Sequence, residues 1–238
     1  MPSNKIDEIA RAITGGRSRQ AEALCRSELS SQPDDENLLL LLAMSVHHQG
    51  RVQEATAAYA TLTRLWPESS VHWSNYGTVL VDAGAREEAR QAYLKAIQLD
   101  PRNLPTRTQL GSLLIVMHEY VEARKVLLDT LALDPDSALI RIPAARACAL
   151  CQDLDGAAAL LKRWRFWTPL HDDPLQLELA QVLIMQNDVT SAAEVLEDLV
   201  GRNSGQPEVV LLLASVYERL NRLADSEAIL PEISRISG

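Results

Sequence analysis

Five groups of residues have types and spacings that chemistry can use. Cys148 and Cys151 form a C-x-x-C pair. Redox pairs of this kind sit at a helix N-terminus, where the dipole lowers the thiol pKa. Here the pair falls late in an apolar stretch, ARACALCQD. It reads, with Cys25, as a set of buried or half-buried structural thiols. A zinc site would need two further ligands, and none lies at a suitable spacing. His47 and His48 are adjacent, and neighbours on a helix point about 100° apart, which suits one metal ion poorly. His171, Asp172 and Asp173 share a loop-like stretch and offer weak metal binding at most. Asn75 and Gln109 stand 34 residues apart. A primary amide both donates and accepts, so this column can pair with the backbone of an extended peptide. The fifth group is RWRFWTP, Arg163 to Pro169, which holds two of the four tryptophans and the only phenylalanine. No nucleophile motif, phosphate loop or G-x-G-x-x-G accompanies these groups. The carboxylates are spread over solvated faces. The expectation is a non-enzyme with no metal site and no cofactor.

Composition narrows the setting. The 238 residues are 47% apolar but only 4% aromatic, and Ala and Leu dominate. Sparse β-branched residues favour helices over strands. The formal net charge of −9 opposes nucleic acid as a partner, because neutralising phosphates needs a basic face. The one dense basic cluster is Lys162, Arg163 and Arg165, within the aromatic stretch. No apolar run approaches the roughly 18 residues of a membrane span. The N-terminus has no apolar signal core. The cytoplasm is the expected compartment, with no membrane insertion.

A period positions all of these residues. Pro33, Pro67, Pro101, Pro135 and Pro169 recur every 34 residues. A small residue recurs at Ala21, Ala55, Ala89, Ala123, Ala157, Ala192 and Ser226. One helical turn later stands a larger one: Cys25, Tyr59, Tyr93, Leu127, Leu161, Leu196, Leu230. Upstream come Leu42-Ala43, Tyr76-Gly77, Leu110-Gly111, Ala144-Ala145, Leu179-Ala180 and Leu213-Ala214. Between the two sets lies a turn position: Gly16, Gly50, Gly84, His118, Gln152, Asn187, Asn221. Each repeat is therefore two amphipathic helices joined by a tight turn. Small residues let the helices approach, large ones fill the adjacent holes, and proline ends the second helix. One pair cannot bury its apolar face alone, so neighbouring pairs stack.

The pattern resembles the tetratricopeptide repeat family. The best match is Ser69 to Pro101, with Trp73, Tyr76-Gly77, Gly84, Ala89, Tyr93, Ala96 and Asp100-Pro101. The resemblance implies an all-α fold, a right-handed α-solenoid of antiparallel helix pairs that spans 1–238 as one domain. Its repeats are expected at about 2–35, 36–69, 70–103, 104–137, 138–172, 173–206 and 207–238. The first repeat, with a polar helix from Ser3 to Thr14, acts as a cap. The resemblance also implies a concave face, lined by the first helices, that binds a protein partner's peptide or helix.

Repeat 5 breaks the pattern. Its first helix contains Pro143, which predicts a kink or a late start near Ile142. It is rich in alanine, and Ala144 replaces a large residue, so a void is expected unless something bulky enters. Trp164 stands in the column of Leu62, Ala96, Thr130 and Leu199, and Trp167 in that of Leu65, Leu99 and Leu133. Both columns are expected to face the packed side. The two tryptophans then compensate for small neighbours. The alternative is an aromatic-arginine hot spot for a partner or for self-association, in which Arg163, Arg165 and Phe166 form a second surface. The step from Ala157 to Ala192 is 35 residues rather than 34. The extra residue falls in TPLHDDP, where Asp173-Pro174 reads as an N-cap and a first helical position.

Helical period places Leu40, Met44, His47, Asn75, Thr78, Asp82, Gln109, Ser112 and Arg146 on the groove. The helices from Glu36 to His48 and from Ser70 to Asp82 contain no Lys or Arg, which disfavours a clamp for acidic tails. A mixed to apolar lining suits an extended apolar or amphipathic segment. Arg107 and Arg141 share a column and are expected to keep their heads in water. The sequence thus points to a scaffold or adaptor of bacterial type, with a homodimer as one further option. The alternative is the repeat region of a longer bacterial enzyme, such as a sulfotransferase or glycosyltransferase fusion, serving substrate recruitment or dimerisation.

Overall fold

A computed structural model describes residues 3–162, 173–202 and 206–231 of the chain. The described residues form fourteen helices that pair in chain order. The first pair is α1 (Ser3–Thr14) and α2 (Ser18–Leu29), and the second α3 (Glu36–His48) and α4 (Val52–Leu65). Then come α5 (Ser70–Asp82) with α6 (Arg86–Leu99), and α7 (Leu104–Val116) with α8 (Tyr120–Leu131). The last three pairs are α9 (Ala138–Leu150) with α10 (Leu154–Lys162), α11 (Asp173–Met185) with α12 (Val189–Gly201), and α13 (Pro207–Arg219) with α14 (Leu223–Ile229). No helix of the described residues is long and apolar enough to cross a membrane.

The turn column is the clearest link from residue to geometry. Gly16, Gly50, Gly84, His118, Gln152, Asn187 and Asn221 all have positive φ, from 58° to 76°. Each donates its N–H to the carbonyl three residues back, as Gly50 does to His47 at 2.8 Å. The next residue reaches five back, as Arg51 does to Val46 at 3.3 Å and Arg222 to Tyr217 at 2.8 Å. This is the Schellman arrangement, which satisfies carbonyls left open at a helix end and turns the chain through one left-handed residue. It occurs seven times, once per repeat. Several helix starts are fixed as firmly. Asp35, Asn103 and Asp188 each accept a backbone N–H three residues on.

The columns account for the core. The small column is buried throughout, from Ala21 at 0% exposure to Ser226 at 3%. At Gly77 the helices come so close that an added Cβ would lie 2.5 Å from the Tyr93 ring. The large column is buried through Leu196, but Leu230 at its end is 40% exposed.

The chain divides into two compact units, Met1–Leu113 and Leu114–Gly238. In the N-terminal unit the core is a series of small clusters. One holds Ile9, Ala12, Ile13, Ala21, Cys25 and Leu38. Another holds Ala43, Val46, Ala55, Tyr59, Leu62 and Val79. In the C-terminal unit one larger cluster runs from Ala145 through Leu179 and Leu196 to Tyr217.

Several details differ from expectation. α9 starts at Ala138 and runs through Pro143 rather than starting late. Proline costs one hydrogen bond there, to the carbonyl of Leu139, a residue 81% exposed and open to water. Asp173 is the first residue of α11 rather than the one before it. The column of Leu62, Ala96, Thr130 and Leu199 is buried as expected, but Leu65 and Leu133 in the neighbouring column are 46% and 55% exposed. In repeat 2 the inward place passes to Trp66, whose ring packs edge-on against His72 at 5.9 Å. Arg163, Trp164, Arg165, Phe166 and Trp167 lie outside the described residues. Repeat 5 does border an opening. A cleft of about 420 Å³ lies between α8, α9 and α10, lined by Leu128, Leu131, Pro135, Gly156, Ala159 and Leu160 among others.

Candidate protein-binding faces

In the N-terminal unit, side chains of consecutive first helices link to one another. His72 is 1% exposed, and its imidazole shares a 2.8 Å hydrogen bond with Glu36 of α3. At the opposite ends of the same helices His47 of α3 meets Asp82 of α5 at 2.6 Å. Ser74 of α5 and Thr106 of α7 share a hydroxyl hydrogen bond of 2.7 Å. The Gln109 amide donates to Thr78 Oγ1 at 3.2 Å and accepts from Ser74 at 3.4 Å. Tyr93 completes the set by donating its hydroxyl to the same Thr78 oxygen at 3.2 Å. Burial pushes the Tyr93 phenol up, and the Asp82 charge adds to that rise, while the Thr78 hydrogen bond opposes it.

These bonds divide the sequence-derived residues by role. Gln109 and Thr78 belong to an internal network that fixes α5 against α6 and α7. Asn75 is half-buried, and its amide has no partner among the described residues. Leu40 and Met44 are half-buried and pack on the Tyr59 cluster. Asp82 and Ser112 are exposed, and so are Val71 at 50% and Val81 at 38%. The face therefore combines apolar surface with an amide and a carboxylate, and its helices carry no Lys or Arg. Two cations of this unit, Arg26 of α2 and Arg51 just before α4, are tied up in ion pairs. Arg26 pairs with Glu22 at 2.7 Å, and Arg51 with Glu22 at 2.7 Å and Glu54 at 2.5 Å.

The first helices of the C-terminal unit present a different surface. Arg146 of α9 grips Glu178 of α11 through two hydrogen bonds, of 3.1 and 2.5 Å. Glu178 is buried, whereas the Arg146 side chain is 53% exposed. The Glu178 carboxylate raises the Arg146 pKa above its already high usual value. The same first helices expose Leu139, Met185 at 50% and Leu211 at 53%, and carry half-buried Ile142 and Leu177. Arg141 does not keep its head in water. It is 5% exposed and donates to the carbonyls of Leu160, at 3.1 Å, and Pro135. Two backbone oxygens, one in the turn after α8 and one in α10, hold the guanidinium away from water.

The cysteines carry no sign of reactivity. Cys25 and Cys148 are buried, Cys151 is half-buried, and all three are free. Burial raises the Cys25 pKa to about 11 and that of Cys148 in the same direction. Among the described residues no group of three or more His, Cys, Asp or Glu is placed to hold a metal. Sequence reasoning named His47, Asp82 and Arg146 but missed Glu36–His72 and Glu178. The missing signal is polar pairs spaced within two residues of the period, as 36 separates Glu36 from His72 and 32 separates Arg146 from Glu178.

Helix pairs that repeat every 34 or 35 residues, each closed by a Schellman turn and packed through a small-residue column, define a tandem helical-repeat protein. Two models described as tetratricopeptide repeat match the chain, one over residues 10–70 and 49–103, the other over 80–138 and 183–236. The chain belongs to the tetratricopeptide repeat family. Among solved structures it is similar to a tetratricopeptide repeat protein from Parabacteroides merdae, with 17% identity, 99% of this chain and 98% of that one covered, and a TM-score of 0.75. It is also similar to PilW, a type IV pilus biogenesis factor, with 19% identity, coverage of 90% and 97%, and a TM-score of 0.78. A thermophilic TPR protein of Thermus thermophilus is 24% identical over 77% of this chain and all of its own, with a TM-score of 0.62. At these identities the likeness concerns the fold. No curated protein matches the sequence.

Proposed function

We propose that this protein is a non-catalytic interaction scaffold whose first helices bind a peptide or helix of a partner protein. One observation carries the reading. The α3–α5 face exposes apolar side chains beside an amide, Asn75, that has no partner among the described residues, and its helices hold no Lys or Arg. A partner segment can cover the apolar surface while its backbone pairs with the amide. The absence of cations on this face and the net charge of −9 support protein over nucleic acid. The three free cysteines support a reducing compartment such as the cytoplasm. A similar fold occurs in the Cut9-Hcn1 hetero-tetramer, which agrees with a scaffold role.

The test is capture of a partner from a lysate of the source organism, followed by calorimetric titration of that purified partner. Asn75→Ala and Val71→Asp should each weaken binding at least fivefold, while Gln109 variants should act through stability. Equal affinity for wild type and both face variants would remove the α3–α5 face as the contact.

A further inference from the structure

The charge on the α3–α5 face narrows the chemistry of what it binds. The helices α3 and α5 carry two carboxylates and no Lys or Arg. The first carboxylate, Glu36, is held by the buried His72 at 2.8 Å. The second, Asp82, has a 51% exposed side chain, and only its Oδ2 is engaged, by His47 at 2.6 Å. The imidazole N–H donates to that oxygen, fixes the carboxylate in place and leaves Oδ1 open. No Lys or Arg pairs with Asp82 among the described residues. Arg107, the cation of α7, lies at the other end of its helix, where it donates to the carbonyl of Pro101 at 3.4 Å. Thr78 and Tyr93 lie one turn back from Asp82, and Val81 stands beside it at 38% exposure. An oriented carboxylate with an open oxygen and no Lys or Arg partner discriminates by charge. It costs an acidic ligand repulsion and gives a basic one a charge-assisted hydrogen bond.

On the reading that this face binds a protein segment, we propose that the segment carries a Lys or Arg that meets Asp82, with apolar residues beside it that cover Val71, Val81 and Met44. Asp82 is then the residue that sets specificity, and His47 is a positioning residue.

A randomised twelve-residue peptide library, panned against the full chain, tests this. Wild type should select peptides with Lys or Arg at one fixed position beside apolar residues. A selected peptide should lose about tenfold in affinity on Asp82→Asn, with the melting temperature unchanged because that side chain is half exposed. Panning on Asp82→Lys should reverse the preference toward Asp and Glu. Selected peptides with no basic position, or with full affinity for Asp82→Asn, overturn the cation proposal and leave the binding face intact. A library that yields no binders, or binders indifferent to Val71→Asp, overturns the face itself and this proposal with it.

Discussion

The two compact units use one 34-residue frame to build unlike surfaces. In the N-terminal unit the first helices are joined by uncharged hydroxyls and amides and by two histidine–carboxylate contacts. The helices there approach through Gly77. In the C-terminal unit the corresponding link is a guanidinium–carboxylate pair on helices that also expose leucines and a methionine, and the positions that match Gly77 are alanines. The frame residues answer to packing and turn geometry, so they hardly vary in kind. The face residues answer to neither, so the two units differ there. The contrast separates what the fold requires from what is free to specify a partner.

Three substitutions press on that contrast. Gly77→Ala should cost most, about 1–3 kcal/mol, because the new Cβ would sit 2.5 Å from a buried ring that is itself tied to Thr78. This survives the roughly 1 kcal/mol that alanine gains over glycine in a helix. A lower urea midpoint is expected, and a midpoint equal to wild type would mean that the ring yields freely. Arg146→Ala comes next, at about 1–3 kcal/mol, since Glu178 is 6% exposed and would lose its charged donor. His47→Ala in the other unit should cost less than about 1 kcal/mol, because Asp82 is half solvated. Thermal melts of the two variants compare the links directly, and equal losses would erase the distinction between them.

The smallest effect concerns pH. Hydrogen bonds from Gln49, Arg26 and Arg51 hold Glu22 below its ordinary value of 4.5, against the opposing effect of burial. A carboxylate lowered by folding contributes fully above the unfolded value, and its contribution is lost as pH falls through the folded one. Glu22→Gln should therefore flatten the acid limb of the stability curve below pH 4.5 by less than about 1 kcal/mol. An acid limb unchanged by the substitution would show that these contacts do not couple to folding.

The sequence foretold the frame well because each column demands a narrow set of residue types. The turn column is the best case. His118 and Gln152 are poor turn formers by composition, yet their place in the period marked them, and both adopt positive φ. The bounds of α3 and α5 followed for the same reason. What escaped depends on neighbours that are distant in the chain. Leu65 looks internal by periodicity, but Trp66 occupies the inner place. Arg141 looks like a surface cation until its carbonyl acceptors are known. Gln109 and Asn75 share a column, yet only Gln109 finds hydroxyl partners, at Ser74 and Thr78. Repetition reports the backbone, and side-chain pairing is settled by local coincidence.

The seven turns also bear on the order of events in time. Glycine closes repeats 1 to 3, while His118, Gln152, Asn187 and Asn221 close the rest. Glycine enters the left-handed region freely, whereas other residues give up roughly 1 kcal/mol there and need packed helices to hold them. We expect the early hairpins to close on their own and the later ones to wait for a neighbour to lean on. The amino-terminal residues leave the ribosome first, so the segments able to fold unaided are also the first to emerge. Pulse-labelled hydrogen exchange during refolding, with α3 to α6 protected before α9 and α10, would show this order, and the reverse sequence would refute it.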